Sequence, residues 1–508
     1  MQSARRLREA LGAAVRRLAH GAASPARLLS SDPAGGSDTL GRRLLRLIYP
    51  KRSAVVVLRR WTEEGKPIQK YQLNRVVREL RKHKRYKHAL EICEWMTIQE
   101  GFKLLPGDYA VHLDLVAKVR GLASAEKFFE DLPGRIKGQQ STCTALLHTF
   151  VQSGLSSKAE SLFKEMSDHG LISCAVPYNH MLHLYISSGE LEKVPVVIRE
   201  LKKNTSPDLF TFNLWLSACA GDPEGAGKVF EEMRQRGISP DWVTFSTLAK
   251  TYTAGGLLQK VRWALGEMEE NISRKDRAGY CSLITLHAAL SDKTAICRVW
   301  EKMRSTFRKM SDAEYACMIS SLVKLASDEE AERMYEEWES VSGTGDPKIP
   351  NKILESFIKK GSMEKAKIFL QRLLKKGIKP SYSTWCIMAY VYLGEERADR
   401  ALECLKRALS KLKKWDPDEG IVKAVFDRLE LLGDVEGAEE FLVMLRNVGY
   451  VTTGVYNSVL RTYARAGRMP LVVLERMEKD GVQLDEETRY LIKATSRLCV
   501  GKVSALIS

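Results

Sequence analysis

Two periods run through this chain. The short one is helical. Tyr178, Met181, Leu182 and Tyr185 fall at i, i+3, i+4 and i+7, one stripe of an α-helix. Gly189 follows, where a residue without a Cβ can turn the backbone left-handed. Tyr456, Val459, Leu460 and Tyr463 repeat the stripe, and Gly467 repeats the stop. A second kind of stripe, Ala226, Val229, Phe230 and Met233, ends at Gly237. Each pair of stripes predicts two antiparallel helices joined by a short turn.

The long period is about 34 residues. It is clearest over Ser206–Gly256, where Pro207-Asp208 leads into Phe212-Asn213 and Pro240-Asp241 leads into Phe245-Ser246. Three markers align the units: an apolar or aromatic start to the first helix, a Gly-type turn, and an Ala in the second helix. They place unit starts near residues 70, 107, 140, 175, 209, 242, 277, 312, 347, 382, 419 and 453. No hairpin can bury its apolar faces alone, so neighbours must stack. The predicted fold is an all-α, right-handed superhelical solenoid of helix-turn-helix repeats. The expected organisation is a leader over 1–30, a flexible joint and basic helical cap over 31–69, about twelve repeats over 70–486, and a partial repeat with a C-terminal tail over 487–508.

Charge adds an asymmetry. The net charge is +17, of which +10 falls in residues 1–60 and +6 in residues 61–88, leaving +1 for all of 89–508. Phosphate attraction by the body must therefore come from local patches. The 10 cysteines are scattered without a CxxC pair and read as reduced core thiols. No apolar run reaches about 18 residues, so no membrane-spanning helix is expected.

The leader has its own signature. Residues 1–30 hold six Arg, no Lys and a single acid, Glu9. Leu7, Leu11, Ala14, Val15 and Leu18 share one helical face, and most of the arginines lie off it. That is the pattern of a mitochondrial transit peptide, with a chloroplast address as the alternative.

The details inside each unit point to a family. VPYNHML (176–182), FTFNLWL (210–216), VTFSTLA (243–249) and VYNSVL (455–460) share one opening. FKEMSDHG (163–170), VFEEMRQRGISPD (229–241) and LLKKGIKPS (373–381) share one ending. With these motifs the chain resembles pentatricopeptide repeat proteins of the plant organellar kind, over roughly 65–500. The stretch 71–96 is similar to the opening of a mitochondrial subgroup.

The resemblance implies a function. In such repeats one base is read per unit by a few side chains. The family places them at the residue after the aromatic and at the residue closing the unit. The implied RNA-binding pairs are Asn179 with Asp208, Asn213 with Asp241, Ser246 with Asp276, and Asn351 with Ser381. By resemblance, Asn with Asp favours U, Ser with Asp leans to G, and Asn with Ser favours a pyrimidine. An Asp in the turn before a helix also has a plain structural use as an N-cap. Pairs such as Val111 with Gln139 or Thr144 with Cys174 match no familiar combination.

The basic run RKHKRYKH (81–88) supplies candidate phosphate contacts in Arg81, Lys82, Lys84, Arg85 and Lys87, against the plainer reading of a solvated helix face. His180 and His183 sit three apart with no acid or Cys cluster to complete a metal site, so no metal and no cofactor are expected. No P-loop occurs, and catalysis is not expected. The favoured function is an adaptor that binds organellar single-stranded RNA, mRNA or rRNA, and acts on its stability, processing or translation. The alternative is a component or assembly factor of the mitochondrial ribosome, with ribosomal proteins as partners. A protein scaffold is the third reading.

Overall fold

The computed structural model describes residues 38–47, 53–342, 348–377, 380–410, 419–470 and 472–495. The leader over 1–30 lies outside them. Every regular element among the described residues is helical, and none is a strand. First helices of hairpins begin at Lys70, Pro106, Gln140, Ala175, Leu209, Trp242, Arg277, Asp312, Lys348, Tyr382, Glu419 and Thr453. Each is followed by its second helix, and a further helix runs over 486–495.

The turn between the two helices explains the glycines. Gly121, Gly189, Gly361, Gly433 and Gly467 all have φ between 63° and 88° at this turn. Only a residue without a Cβ adopts that region freely. Four hairpins use Lys84, Ser291, Ala326 and Glu396 there instead, at φ of 56° to 65°. The shape of the hairpin therefore overrides residue preference, at about 1 kcal/mol each.

The recurring Ala of the second helix marks the crossing with the first. Ala89, Ala125, Ala159, Ala226, Ala366, Ala401 and Ala438 are completely buried. A larger residue would hold the two helices apart. About two turns later the second helix buries a bulky side chain: Met96, Met166, Met233, Met303, Leu373 and Leu445.

The described residues divide into two compact units between Leu286 and His287. In the first, the helix Leu40–Leu45 packs on Lys70–Lys82, and Ala54–Glu63 packs on Tyr86–Ile98. The segment before the repeats is thus a hairpin stacked like the others, first helix on first and second on second. First helices then pack in series from Pro106–Arg120 through Gln140–Gln152, Ala175–Ser188 and Leu209–Ala218 to Trp242–Ala254. In the second unit the same series runs from Asp312–Lys324 through Lys348–Lys359, Tyr382–Gly394 and Glu419–Leu432 to Thr453–Ala466.

No described helix is long and apolar enough to cross a membrane. The nine described cysteines form no disulfide. Four of them, Cys93, Cys143, Cys386 and Cys404, are buried, while Cys297 is exposed, so the expectation of core thiols holds for only part of the set. Burial pushes the Cys93 and Cys386 thiols up to about 12, which keeps them protonated.

Candidate nucleic-acid interface

A side-chain network recurs where each first helix starts. Asp208 is the N-cap of Leu209–Ala218, and its Oδ1 accepts from the Thr211 backbone N–H at 2.7 Å. The same Oδ1 accepts from Asn179 Nδ2, on the preceding first helix, at 3.2 Å. The Thr211 hydroxyl donates to Asn179 Oδ1 at 2.8 Å. One helix start therefore holds both ends of the Asn amide of its neighbour.

The next unit repeats the arrangement. Asn213 Nδ2 donates to Asp241 Oδ1 at 3.2 Å, and the Thr244 hydroxyl donates to Asn213 Oδ1 at 2.7 Å. In the second compact unit Asn351 Nδ2 lies 3.4 Å from Ser381 Oγ, and the Thr384 hydroxyl is 2.8 Å from Asn351 Oδ1. The structure adds a pair not assigned from the motifs. Asn457 Nδ2 donates to both oxygens of Asp485 at 3.1 Å, and the Thr488 hydroxyl donates to Asn457 Oδ1 at 2.7 Å. The signal was available, since Thr488 stands three residues after Asp485 as Thr211 does after Asp208.

Capping and pairing coexist, because the carboxylate uses one oxygen for both. Capping alone would not require the Asn. At Asp208 and Asp241 every hydrogen bond given to the carboxylate falls on Oδ1. Oδ2 remains as an acceptor, beside an Asn amide with one N–H unspent.

Ser246 and Asp276 are not brought together. The Ser246 hydroxyl is buried and lies 3.0 Å from Ser282 Oγ, while Asp276 Oδ1 accepts from the backbone N–H groups of Ala278 and Gly279. Three residues after Asp276 the chain has Gly279 in place of Thr. A Cβ there would sit 3.1 Å from Ile272 and 3.4 Å from Trp242, a tight fit that requires those side chains to shift by a few tenths of an ångström.

The basic run divides by role. Arg85 sends its guanidinium to backbone carbonyls, Nη1 to Leu45 O at 2.6 Å and Nη2 to Leu47 O. It ties the first hairpin to the segment before it. Arg81 pairs with Asp114 at 2.8 Å and Lys82 with Glu79 at 2.8 Å. Lys84 and Lys87 are exposed. His83 is also exposed, but His88 is buried, which departs from a fully solvated face.

Arg81, Asp114, His148 and His183 occupy one repeat position, 33 to 35 residues apart. Asp114 is buried and holds Arg81 and Lys118, each at 2.8 Å. His148 packs against His180, on the next first helix, with ring centroids 4.9 Å apart and the planes tilted by 48°. The two rings were not linked from sequence, because they come from different repeat positions. Burial, reinforced by the neighbouring His148 and His183, lowers His180 to about 4. His112, buried against Phe128 at 4.5 Å, is lowered to about 4 by burial and by Arg120. Among the described residues no cluster of His, Cys, Asp and Glu could hold a metal ion.

These histidines set an acid response. Unfolded His titrates near 6.5, so between about 6.5 and 4 the unfolded chain binds protons that the folded chain refuses. Stability is fully present above about 6.5 and falls as the pH drops toward 4, by up to about 1.4 kcal/mol per pH unit for each such group. Urea midpoints at pH 7 and pH 5 should show the loss, and His112→Leu should reduce it. An unchanged difference in that variant would remove His112 from the account.

Residues 161–222 and 207–254 match the pentatricopeptide repeat domain, and residues 141–171 match the PPR repeat. The chain is 53% identical over 476 residues to a mitochondrial pentatricopeptide repeat-containing protein of Arabidopsis thaliana, covering 93% of this chain and 89% of that one. It is 31% identical to a second mitochondrial protein of that kind from Arabidopsis thaliana, covering 90% and 94%. Among solved structures it is similar to the pentatricopeptide repeat protein PPR10 from maize, at 18% identity and a TM-score of 0.45, covering 91% of this chain and 70% of that chain.

Proposed function

Because the chain belongs to the pentatricopeptide repeat family, we propose that it is a mitochondrial adaptor that binds single-stranded RNA. It would act on the stability, processing or translation of an organellar transcript. The observation that carries this reading is the pairing of Asn213 with Asp241, repeated by Asn179 with Asp208. Each pair sets an N–H donor beside a carboxylate oxygen. Repeats of this family read one base per unit with such side chains.

The chemistry selects among bases. Uracil presents a carbonyl oxygen beside its N3–H, so the Asn N–H can donate to the oxygen while Asp Oδ2 accepts from N3–H. A cytosine held in that same register would set its N3 acceptor against the carboxylate and its N4 donor against the Asn N–H. The U preference expected of an Asn–Asp unit thus has a local cause. Ser246 with Asp276 offers no comparable pair, so the units beginning near 175 and 209 carry the strongest readout. The mitochondrial assignment is supported by the names of the two relatives and by the arginine-rich leader.

The test uses the full chain and a randomised single-stranded RNA pool to find a preferred sequence. Asn213→Ala with Asp241→Ala should weaken binding to that sequence by about 10- to 100-fold, the worth of one or two hydrogen bonds with charge. Binding to a scrambled RNA of equal length should change less than about twofold, since backbone contacts carry no sequence information. Fluorescence anisotropy at fixed salt reads both. Equal losses on the two RNAs would sink base reading.

A further inference from the structure

We propose that the threonine three residues after the closing Asp or Ser is a positioning residue. Its hydroxyl fixes the Asn amide that reads the base. The four are Thr211, Thr244, Thr384 and Thr488, each donating to the Asn Oδ1 of the preceding first helix at 2.7 to 2.8 Å. All four are at most 1% exposed. This inference rests on the Asn–Asp base-reading proposed above.

The argument is one of satisfied valences. An Asn amide has two donors at Nδ2 and an acceptor at Oδ1. If Oδ1 faced the base, the unit would present two acceptors, Oδ1 and the carboxylate, which suits neither uracil nor cytosine. The Asp carboxylate calls for Nδ2, and the threonine hydroxyl occupies Oδ1. The Thr211 hydroxyl has one proton and two acceptors within reach, Asn179 Oδ1 at 2.8 Å and Asp208 Oδ1 at 2.7 Å, and the other bonds at Asp208 favour the Asn oxygen. Asp208 Oδ1 already takes two N–H donors, and Thr211 Oγ1 accepts from the Asp208 backbone N–H at 3.2 Å. Thr244 repeats these bonds at Asp241. With both ends of the amide held, the remaining N–H is the group left for a base.

Two natural contrasts support the role. Gly279 occupies the threonine position after Asp276, and there Asp276 and Ser246 do not join. Asp108 stands where the others have threonine, three residues after Leu105, and it can only accept. There Asn74 Nδ2 donates to Asp108 Oδ1 at 3.0 Å, with no hydroxyl on the Asn oxygen.

Thr244→Val keeps the side-chain shape and removes the hydroxyl. The oxygen of the half-buried Asn213 then loses its hydroxyl partner, and the amide is free to turn away. The full chain is used, with the preferred RNA from the randomised pool and variants of it carrying U or C at each nucleotide in turn. Thr244→Val should lower the U-over-C ratio about tenfold at one nucleotide and leave the others alone. Thr244→Ser, which keeps the hydroxyl, should restore most of the ratio. Thr211→Val should produce the same loss one nucleotide away, a displacement that a general loss of stability cannot produce. It also serves if Thr244→Val fails to fold, which a thermal melt reports.

An unchanged ratio in folded Thr244→Val, with the ratio lost in Asn213→Ala, would overturn the positioning role alone. So would equal weakening at every nucleotide. If Asn213→Ala also leaves every preference intact, base reading by this pair fails and the threonine role falls with it.

Discussion

Replacing Trp338 by Ala is expected to remove about 3–5 kcal/mol of folding stability. Trp338 stands in the second-helix slot that other hairpins fill with Met166, Met233, Met303, Leu373 or Leu445. It is 1% exposed, and its ring centroid lies 5.5 Å from that of Tyr335. Its Nε1 donates to Asp312 Oδ1, in the first turn of the preceding helix, at 2.8 Å. Truncation leaves a void the size of an indole between helices and strips a partner from Asp312. In a stacked array each hairpin contacts only its neighbours, so the loss should concentrate locally. Urea unfolding followed by far-ultraviolet circular dichroism should show an earlier transition. Hydrogen exchange should quicken most over 312–359. Trp338→Met, which restores the side chain of the other hairpins, should recover more than half. A loss below about 1 kcal/mol for the Ala variant would show that the slot closes on itself.

Arg85→Met should cost about 2–3 kcal/mol and should act on the front of the array, not on RNA. The Arg85 guanidinium donates to the carbonyls of Leu45 and Leu47, at the end of the helix Leu40–Leu45. Among the described residues no backbone N–H donates to those carbonyls, as is usual at a helix C-terminus. Leu44 and Leu47 are buried, so water is a poor substitute. Burial also lowers the affinity of the Arg85 side chain for its proton, which marks it as withdrawn from solvent. The expected result is faster hydrogen exchange over 40–47, with the salt dependence of RNA binding unchanged. Lys84→Ala, at an exposed side chain, should leave exchange alone and lower the salt slope by about one. The reverse pattern, a lower slope and unchanged exchange for Arg85→Met, would return Arg85 to the phosphate contacts.

The all-α repeat fold was legible because packing constraints act at every turn of every unit. An Ala at each helix crossing, a bulky residue two turns later and a left-handed turn recur often enough to survive the loss of any one. Lys84, Ser291, Ala326 and Glu396 replace the turn glycine without disturbing the phase. The candidate site was legible in part. Asn179, Asp208, Asn213 and Asp241 could be named from the motif, but their partners Thr211 and Thr244 could not be given a role. Nothing in a linear motif distinguishes a threonine that caps a helix from one that also reaches across to the neighbouring hairpin. Asn457 and Asp485 were passed over because the last unit departs from the Pro-Asp ending that marks the others. Arg85 was grouped with its basic neighbours, since a charge run does not show which side chain turns inward.

The chain alone determines the period, the helical hairpin and the identity of each cap, because these depend on residues within one or two turns of each other. It also determines which amide and which carboxylate are present in each unit. Only the stacking of one hairpin on the next decides whether they meet. Asn213 and Asp241 are 28 residues apart and join, with Thr244 closing the network. Ser246 and Asp276 stand 30 apart and do not; the Ser246 hydroxyl lies on Ser282 and Asp276 caps its own helix start. A hydrogen bond tolerates only tenths of an ångström, and that tolerance is set by packing across the helix interface and not by the spacing of letters along the chain.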